Sequence, residues 1–353
     1  MLISKINPYI SPIRIIVSGL SSRLPLVAVF GDWDADGIIA SAVIVSSQKY
    51  GNIYPINGEA LIEYTPAEPL YLSRVLSKSK CYDALVILDI PLIDPVLSVL
   101  RTYRSGCGSS RIIYIDHHIS SHEKLEDLYG LVDEPLIGYV PTSRIALDRA
   151  VSAGFKPSER LRSFVEAVHL MDQGLRIPSS MISLYKVVSG ISKALASKKD
   201  PSLWRRAVEW ISSPIPLPNI VPGESMAEIA RLAREADKRI KEEANLLAIS
   251  AQKLGIFKYI DARKRWRGRG ASALASALYR KLKNPVILCV AGGEGHVLLI
   301  TRLPGKAYRV IRILRESGIA VNVGGHSSLG IARIPENRLG EALELLRRIS
   351  YSL

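Results

Sequence analysis

The 353-residue chain is 48% apolar and 23% charged, a balance that excludes fibrous, disordered and membrane-embedded classes and allows two domains, each with its own core. Its net charge of +14 is unevenly placed: residues 255–353 hold 18 Lys and Arg against 6 Asp and Glu, and residues 1–254 hold 29 against 27. The C-terminal third is therefore suited to a polyanion.

Cys81, Cys107 and Cys289 are odd in number, far apart and without a CxxC spacing. They predict reduced thiols rather than a disulfide framework or a zinc cage. Residues 1–22 interrupt their apolar content with Lys5, Pro8, Pro12 and Arg14, which fits neither a signal peptide nor a membrane span. A cytoplasmic protein without membrane partners is expected.

From residue 26 onward, short apolar runs alternate with helix-like segments: 26–30, then 38–50, 84–88, 95–103 and 111–115. Runs too short for a helix and bounded by turn residues predict a parallel sheet with crossover helices. Helices are expected from Thr142 or Ser143, as N-cap, to Ala153, and from 158 to 170. The pattern weakens between 178 and 222, where Pro214, Pro216, Pro218 and Pro222 mark an irregular connection. Residues 225–253 read as one long amphipathic helix leading into a second α/β unit. Its strands are expected at 285–291, 296–301, 319–323 and 329–334, and its helices at 271–282, 308–317 and 338–350. The expected fold is α/β with two domains, a parallel-sheet catalytic domain over 1–185 and a smaller α/β domain over 255–353, joined by a linker and connecting helix over 186–254.

Parallel sheets place ligands at the carboxyl ends of their strands. There the sequence sets Asp32, Asp34 and Asp36 in Gly31-Asp32-Trp33-Asp34-Ala35-Asp36-Gly37, then Asp89, then Asp116-His117-His118, with Asp172 added from a helix end. Taken singly, Asp89 also reads as a helix cap and Asp-His-His as a polar turn. Together, several carboxylates with one or two imidazoles suit Mn²⁺ or Mg²⁺ better than Zn²⁺, and Asp89 is placed to bridge two ions about 3.5–4 Å apart.

These four motifs, in this order, resemble those of the DHH phosphoesterase superfamily. The second unit is similar to the DHHA1 type, with Gly324-Gly325-His326 and Gly330 as its glycine-rich motif, and the whole resembles a short, archaeal-type RecJ-like protein. The resemblance implies Asp34 and Asp36 on different ions, Asp89 bridging, and His117 and Asp172 completing the shell around the ion at Asp36. It implies His118 on the substrate phosphate and Asp116 orienting the histidines. Asp32 stands where RecJ-like members carry an Asp and is a further candidate ligand. Gly324, Gly325, His326 and Arg302 would contact substrate phosphate.

The reading that follows is a two-metal phosphodiesterase or exonuclease acting on single-stranded DNA or RNA, with Arg263, Arg265 and Arg267 tracking phosphates and Trp266 or Trp33 stacking on a base. A second reading is hydrolysis of small substrates such as short oligoribonucleotides, cyclic dinucleotides or nucleotide 3′-phosphates. A third, of a different class, is a scaffold binding replication or repair proteins.

Overall fold

Alternate residues of β1 (Leu26–Gly31) belong to two different cores, Val27 and Val29 to one and Ala28 and Phe30 to the other, so both faces of this strand are covered. The protein is described here by a computed structural model covering residues 23–78, 80–172, 175, 177–215, 223–266 and 270–352. The N-terminal stretch read for a leader, three of the four clustered prolines (Pro216, Pro218 and Pro222) and Arg267 lie outside the described residues.

After β1 come α1 (Ala35–Lys49), β2 (Leu61–Pro66), α2 (Pro69–Leu76), β3 (Ala84–Leu88), α3 (Asp94–Gly106), β4 (Arg111–Asp116), the short α4 (Ile119–Glu123) and α5 (Leu125–Leu128), and β5 (Glu134–Ile137). The strands form one parallel sheet in the order β2-β1-β3-β4-β5. The chain moves outward in opposite directions from β1 and β3, which opens a crevice at their carboxyl ends, the usual ligand position in such a sheet.

One face is covered by α2 and α3. The other packs on α1, which is buried on nearly every side because α6 (Thr142–Ser152), α7 (Glu159–Asp172), α8 (Ile182–Ser197) and α9 (Pro201–Ser212) enclose it. The last two helices occupy the stretch expected to be an irregular connection. Val188, Ile191, Leu195, Leu203, Trp204, Val208 and Ile211 are buried in the first core. Asp200 caps α9 by accepting from the Ser202 and Leu203 N–H groups, with Pro201 at the first helical position.

The 27-residue α10 (Gly223–Ile249) packs against α8 and then against α11 (Ala271–Leu282) of the second unit. That unit begins with β6 (Gln252–Leu254) and β7 (Phe257–Asp261). After α11 it continues through β8 (Val286–Gly293), β9 (His296–Arg302), α12 (Ala307–Glu316), β10 (Asn322–His326), β11 (Leu329–Pro335) and α13 (Leu339–Ile349). Its sheet runs β10-β11-β9-β8-β7-β6, antiparallel except between β7 and β8. Helices α10 and α11 cover one face, and α12 and α13 the other. The two-domain α/β architecture with a long connecting helix is as expected.

The cysteine expectation is overturned. Cys81 and Cys107 form a disulfide across Cα atoms 5.3 Å apart, and among the described residues only Cys289 is a free, buried thiol. Twenty-six residues separate the pair in sequence. A crossover helix runs antiparallel to its strand, so the end of α3 returns to where β3 starts. Sequence spacing does not report that proximity. Among the described residues, no helix is long and apolar enough to cross a membrane.

The first acidic motif is fixed by close approach. A Cβ on Gly37 would lie 2.6 Å from the Asp32 backbone, so no larger residue fits where the loop turns into α1. From the other side, the fully buried Trp204 donates its indole N–H to the Asp32 carbonyl at 2.9 Å. Trp204→Ala is expected to cost about 3–5 kcal/mol, read as a lowered denaturation midpoint with an unchanged slope.

Candidate metal centre

Each candidate ligand is held by the element that delivers it. Asp34 caps α1: its Oδ1 accepts from the Asp36 and Gly37 N–H groups at 2.9 and 3.1 Å, which leaves Oδ2 free of that cap. Asp36, the second residue of α1, caps a different helix. Its Oδ2 and Oδ1 accept from the Thr142 and Ser143 N–H groups at 2.7 and 2.9 Å, the first two residues of α6. Thr142 and Ser143 are thus not the cap expected from their side chains; Pro141 stands at that position and the capping carboxylate arrives from the first motif. Thr142 Oγ1 also donates to Asp89 Oδ1 at 3.0 Å.

Asp89 follows β3 with φ of 61°, a left-handed conformation uncommon for a non-glycine residue, and is almost completely buried. It caps no helix, since α3 starts five residues later with Ile93 before it. His117 lies among three acids: its Nε2 is 3.4 Å from Asp89 and 3.8 Å from Asp36, and its Nδ1 is 3.9 Å from Asp172 at the end of α7. Asp116 is fully buried beneath the pair of histidines, 2.8 Å from His118 Nδ1, and accepts the Ser121 hydroxyl.

Two sets of donor atoms fall within 4.8 Å of one another: Asp32, Asp34 and Asp89, and Asp89, His117 and His118. Asp89 is common to both. His118, expected on the substrate side, is therefore also within ligating distance.

Burial dominates the electrostatics. It lifts Asp89, crowded by Asp36 and Asp34, well above the ordinary carboxylate range. Burial and the neighbouring Asp34 charge raise Asp32 to about 7, and burial holds Asp36 at about 6 against the opposing charge of His117. Burial disfavours a charged His118, but the Asp116 carboxylate overrides it and raises the ring to about 9. Acids this close that resist ionisation lack positive charge. The donor set of carboxylate oxygens and imidazoles fits Mn²⁺ or Mg²⁺.

The opposite wall comes from the second sheet. A cleft of about 540 Å³ runs from Asp32, Asp34 and His118 to Arg302, Gly324, Gly325 and His326, and on to Asn322 and Arg333. Gly325 has φ of 123°, and a Cβ there would meet Gly330 Cα at 3.1 Å. Burial lowers His326 to about 4, so it is neutral at pH 7; its charged neighbours are Asp172, His118, His117 and Arg302. The two walls are tied by the Tyr308 hydroxyl, which donates to Glu123 at 2.7 Å.

The described residues of the basic tract, 263–266, do not line this cleft. Arg263 pairs with Asp261 at 2.6 Å and Glu336 at 2.7 Å, and Arg265 pairs with Glu243. Trp266, expected to offer a stacking face, is 5% exposed, with the Arg239 guanidinium 5.0 Å from its ring. Trp33 is half-buried on the first core, with Lys199 Nζ 5.7 Å from its ring. Sequence reasoning missed Thr142, Ser121, Asn322 and Arg333. Arg333 carried a signal in its two-residue spacing from Leu329 and Ile331, which puts the three on one face of β11.

No protein-family model matches this sequence, and no curated protein matches it. Solved structures do. A DHH-domain protein described as a member of a family of ribosomal proteins superposes with a TM-score of 0.67 at 16% identity, over 93% of this chain and 87% of that one. RecJ of Thermus thermophilus in complex with Mn²⁺ gives 0.62 at 14% identity, over 93% of this chain and 52% of that one. The chain has the fold of RecJ and other DHH-domain proteins. A pGpG-specific phosphodiesterase, PggH of Vibrio cholerae, gives 0.53 at 12% identity, over 93% of this chain and 99% of that one.

Above pH 6.5 the raised groups of the cluster act in one direction. A group whose pKa is raised by folding holds its proton more tightly in the folded state, and the stability this gives is lost as pH rises through the folded value. Stability of the metal-free protein is therefore expected to fall from pH 6.5 to 9 as Asp32 and His118 deprotonate. His326, lowered to about 4, opposes this only weakly and only near the lower edge of the window, where an unfolded histidine is still partly protonated. Saturating Mn²⁺ is expected to raise Tm more at pH 8.5 than at pH 6.5; calorimetry at the two values checks both statements.

Proposed function

We propose that this protein is a divalent-metal-dependent phosphodiesterase that removes nucleotides from single-stranded DNA or RNA. The observation that carries the reading is Asp89, shared by two ligand groups of which Asp32, Asp34 and His118 line a cleft whose far wall holds Arg302 and His326. In this reading, Asp36, Asp89, His117 and Asp172 hold one Mn²⁺ or Mg²⁺ ion, and Asp34 and Asp89 the other, with Asp32 beside it. When bound, the two ions neutralise charge on the phosphate and lower the pKa of water. The RecJ structures in complex with Mn²⁺ and Mg²⁺ support that choice of ions.

The chain's own groups do the rest. Asp116 fixes the His118 ring and keeps it protonated at neutral pH, so His118 presents a charge-assisted N–H to a phosphate oxygen. Arg302 supplies fixed positive charge, while His326 contributes a hydrogen bond without charge. Residues 255–353 serve as the substrate-holding domain and residues 1–185 as the catalytic one.

Short oligonucleotides are the favoured substrates. The cleft volume limits how much chain it encloses, and Arg263 and Arg265 are engaged by acids rather than lined up as a strand track. The pGpG-specific activity of PggH belongs to that protein and is consistent with a short substrate here.

The test is incubation with Mn²⁺ and end-labelled DNA and RNA ladders from two nucleotides upward. Stepwise shortening supports the phosphodiesterase; no hydrolysis of any strand overturns it. Asp89→Ala and His117→Ala are each expected to lower kcat by at least about a thousandfold with the fold retained by circular dichroism. Full activity in either removes the two-ion assignment.

A further inference from the structure

The floor of the cleft continues past the phosphate-contacting end and finishes on a second arginine that none of the four motifs contains. Strand β11 presents Leu329, Ile331 and Arg333 on one face, all lining the cleft. In register, Leu329 pairs with Arg302 of β9 and His326 of β10, and Arg333 pairs with Asn322 of β10. His326 marks the metal end, since its charged neighbours are Asp172, His117 and His118. Four residues of strand separate the two ends, about 13 Å at the usual rise per residue.

The floor therefore carries a guanidinium at each end and two aliphatic side chains between them. Nε of Arg302 and Nε of Arg333 are both buried and have no hydrogen-bond partner among the described residues, so each guanidinium gains by turning out to meet an acceptor in the cleft. Among the described residues, Arg333 forms its ion pair with Glu294 at 3.3 Å, whose side chain is 84% exposed and stands in the β8–β9 hairpin. A pair so open to water is readily exchanged for a phosphate. Ser272, Ala273 and Ser276 of α11 also line the cleft and are small.

We propose that Arg333 and Asn322 form a distal phosphate subsite, so that the substrate is an oligonucleotide long enough to place a second phosphate about 13 Å from the metal end. The inference rests on the phosphodiesterase reading for its substrate class. Arg302 holds the chain near the reacting phosphate, Leu329 and Ile331 accommodate the less polar sugar and base edges, and Arg333 exchanges Glu294 for a phosphate oxygen. A dinucleotide does not reach the distal end; a strand of five nucleotides does.

The experiment compares two- and five-nucleotide single strands on wild type, Arg333→Ala and Glu294→Ala, all checked for wild-type melting. Dissociation constants of labelled strands are measured with Ca²⁺ as the divalent cation, and kcat/KM with Mn²⁺. In Arg333→Ala the preference for five nucleotides over two is expected to fall about tenfold, carried by Kd and KM, the size of one charge-assisted contact. Glu294→Ala, which releases the guanidinium, is expected to increase that preference. Equal losses on both strands, or an unchanged ratio, overturn the subsite. Absence of wild-type hydrolysis overturns the phosphodiesterase reading alone: an Arg333-dependent length preference in Kd still sustains the subsite, and an Arg333-independent one still removes it.

Discussion

Two carboxylates buried at the crevice between β1 and β3 constrain much of the rest of this structure. Burying a carboxylate is costly unless hydrogen bonds or opposite charge stabilise it. The chain meets that demand for Asp36 by bringing the first turn of α6 against it, so that two backbone N–H groups satisfy the acid and the acid caps the helix. Asp89 receives the Thr142 hydroxyl from the same turn. The position of α6 over α1 is thus tied to the site as well as to the core, and the remaining lack of positive charge is what a cation would fill.

The second consequence concerns the basic surplus. Uneven charge along the chain suggested a domain coated for nucleic acid, yet several of its arginines act inside the architecture. Arg263 joins β7 to the turn after β11, and Arg265 joins the following loop to α10. Among the described residues, the guanidinium groups that reach the cleft are Arg302 and Arg333, each on a strand whose neighbours are fixed by register. Charge counted along a sequence measures supply; only the fold tells which charges are already matched.

Elements with continuous apolar runs, such as β1, β3 and β4, were readable because both faces of a parallel strand are covered and nothing interrupts the pattern. Edge strands were not. In β2 and β5 most residues are only partly buried, and Leu-Ile-Glu-Tyr-Thr-Pro gives no such run. Helices α8 and α9 were masked by the prolines that follow them, although Asp200-Pro201 is a recognisable start. The candidate metal ligands were recognisable for a physical reason: strand ends are local, so an acid one or two positions beyond an apolar run has a known destination. Asp172 was picked out only as an acid at a helix end, and its place in an ion's shell came from the resemblance, because a helix end carries no such address.

The sequence by itself determined the parallel sheet, the acids and histidines at its carboxyl edge and the presence of a second α/β unit, since each follows from periodicity and short-range connection. Tertiary structure alone decided that Asp36 caps α6, that Cys81 meets Cys107, that Arg263 and Arg265 are paired and that Trp266 is buried. It also decided that Arg333 shares a cleft with Asp34 and His118. Each of those contacts joins groups brought close by helix crossover, strand register or domain packing, and none of these distances is encoded in local spacing.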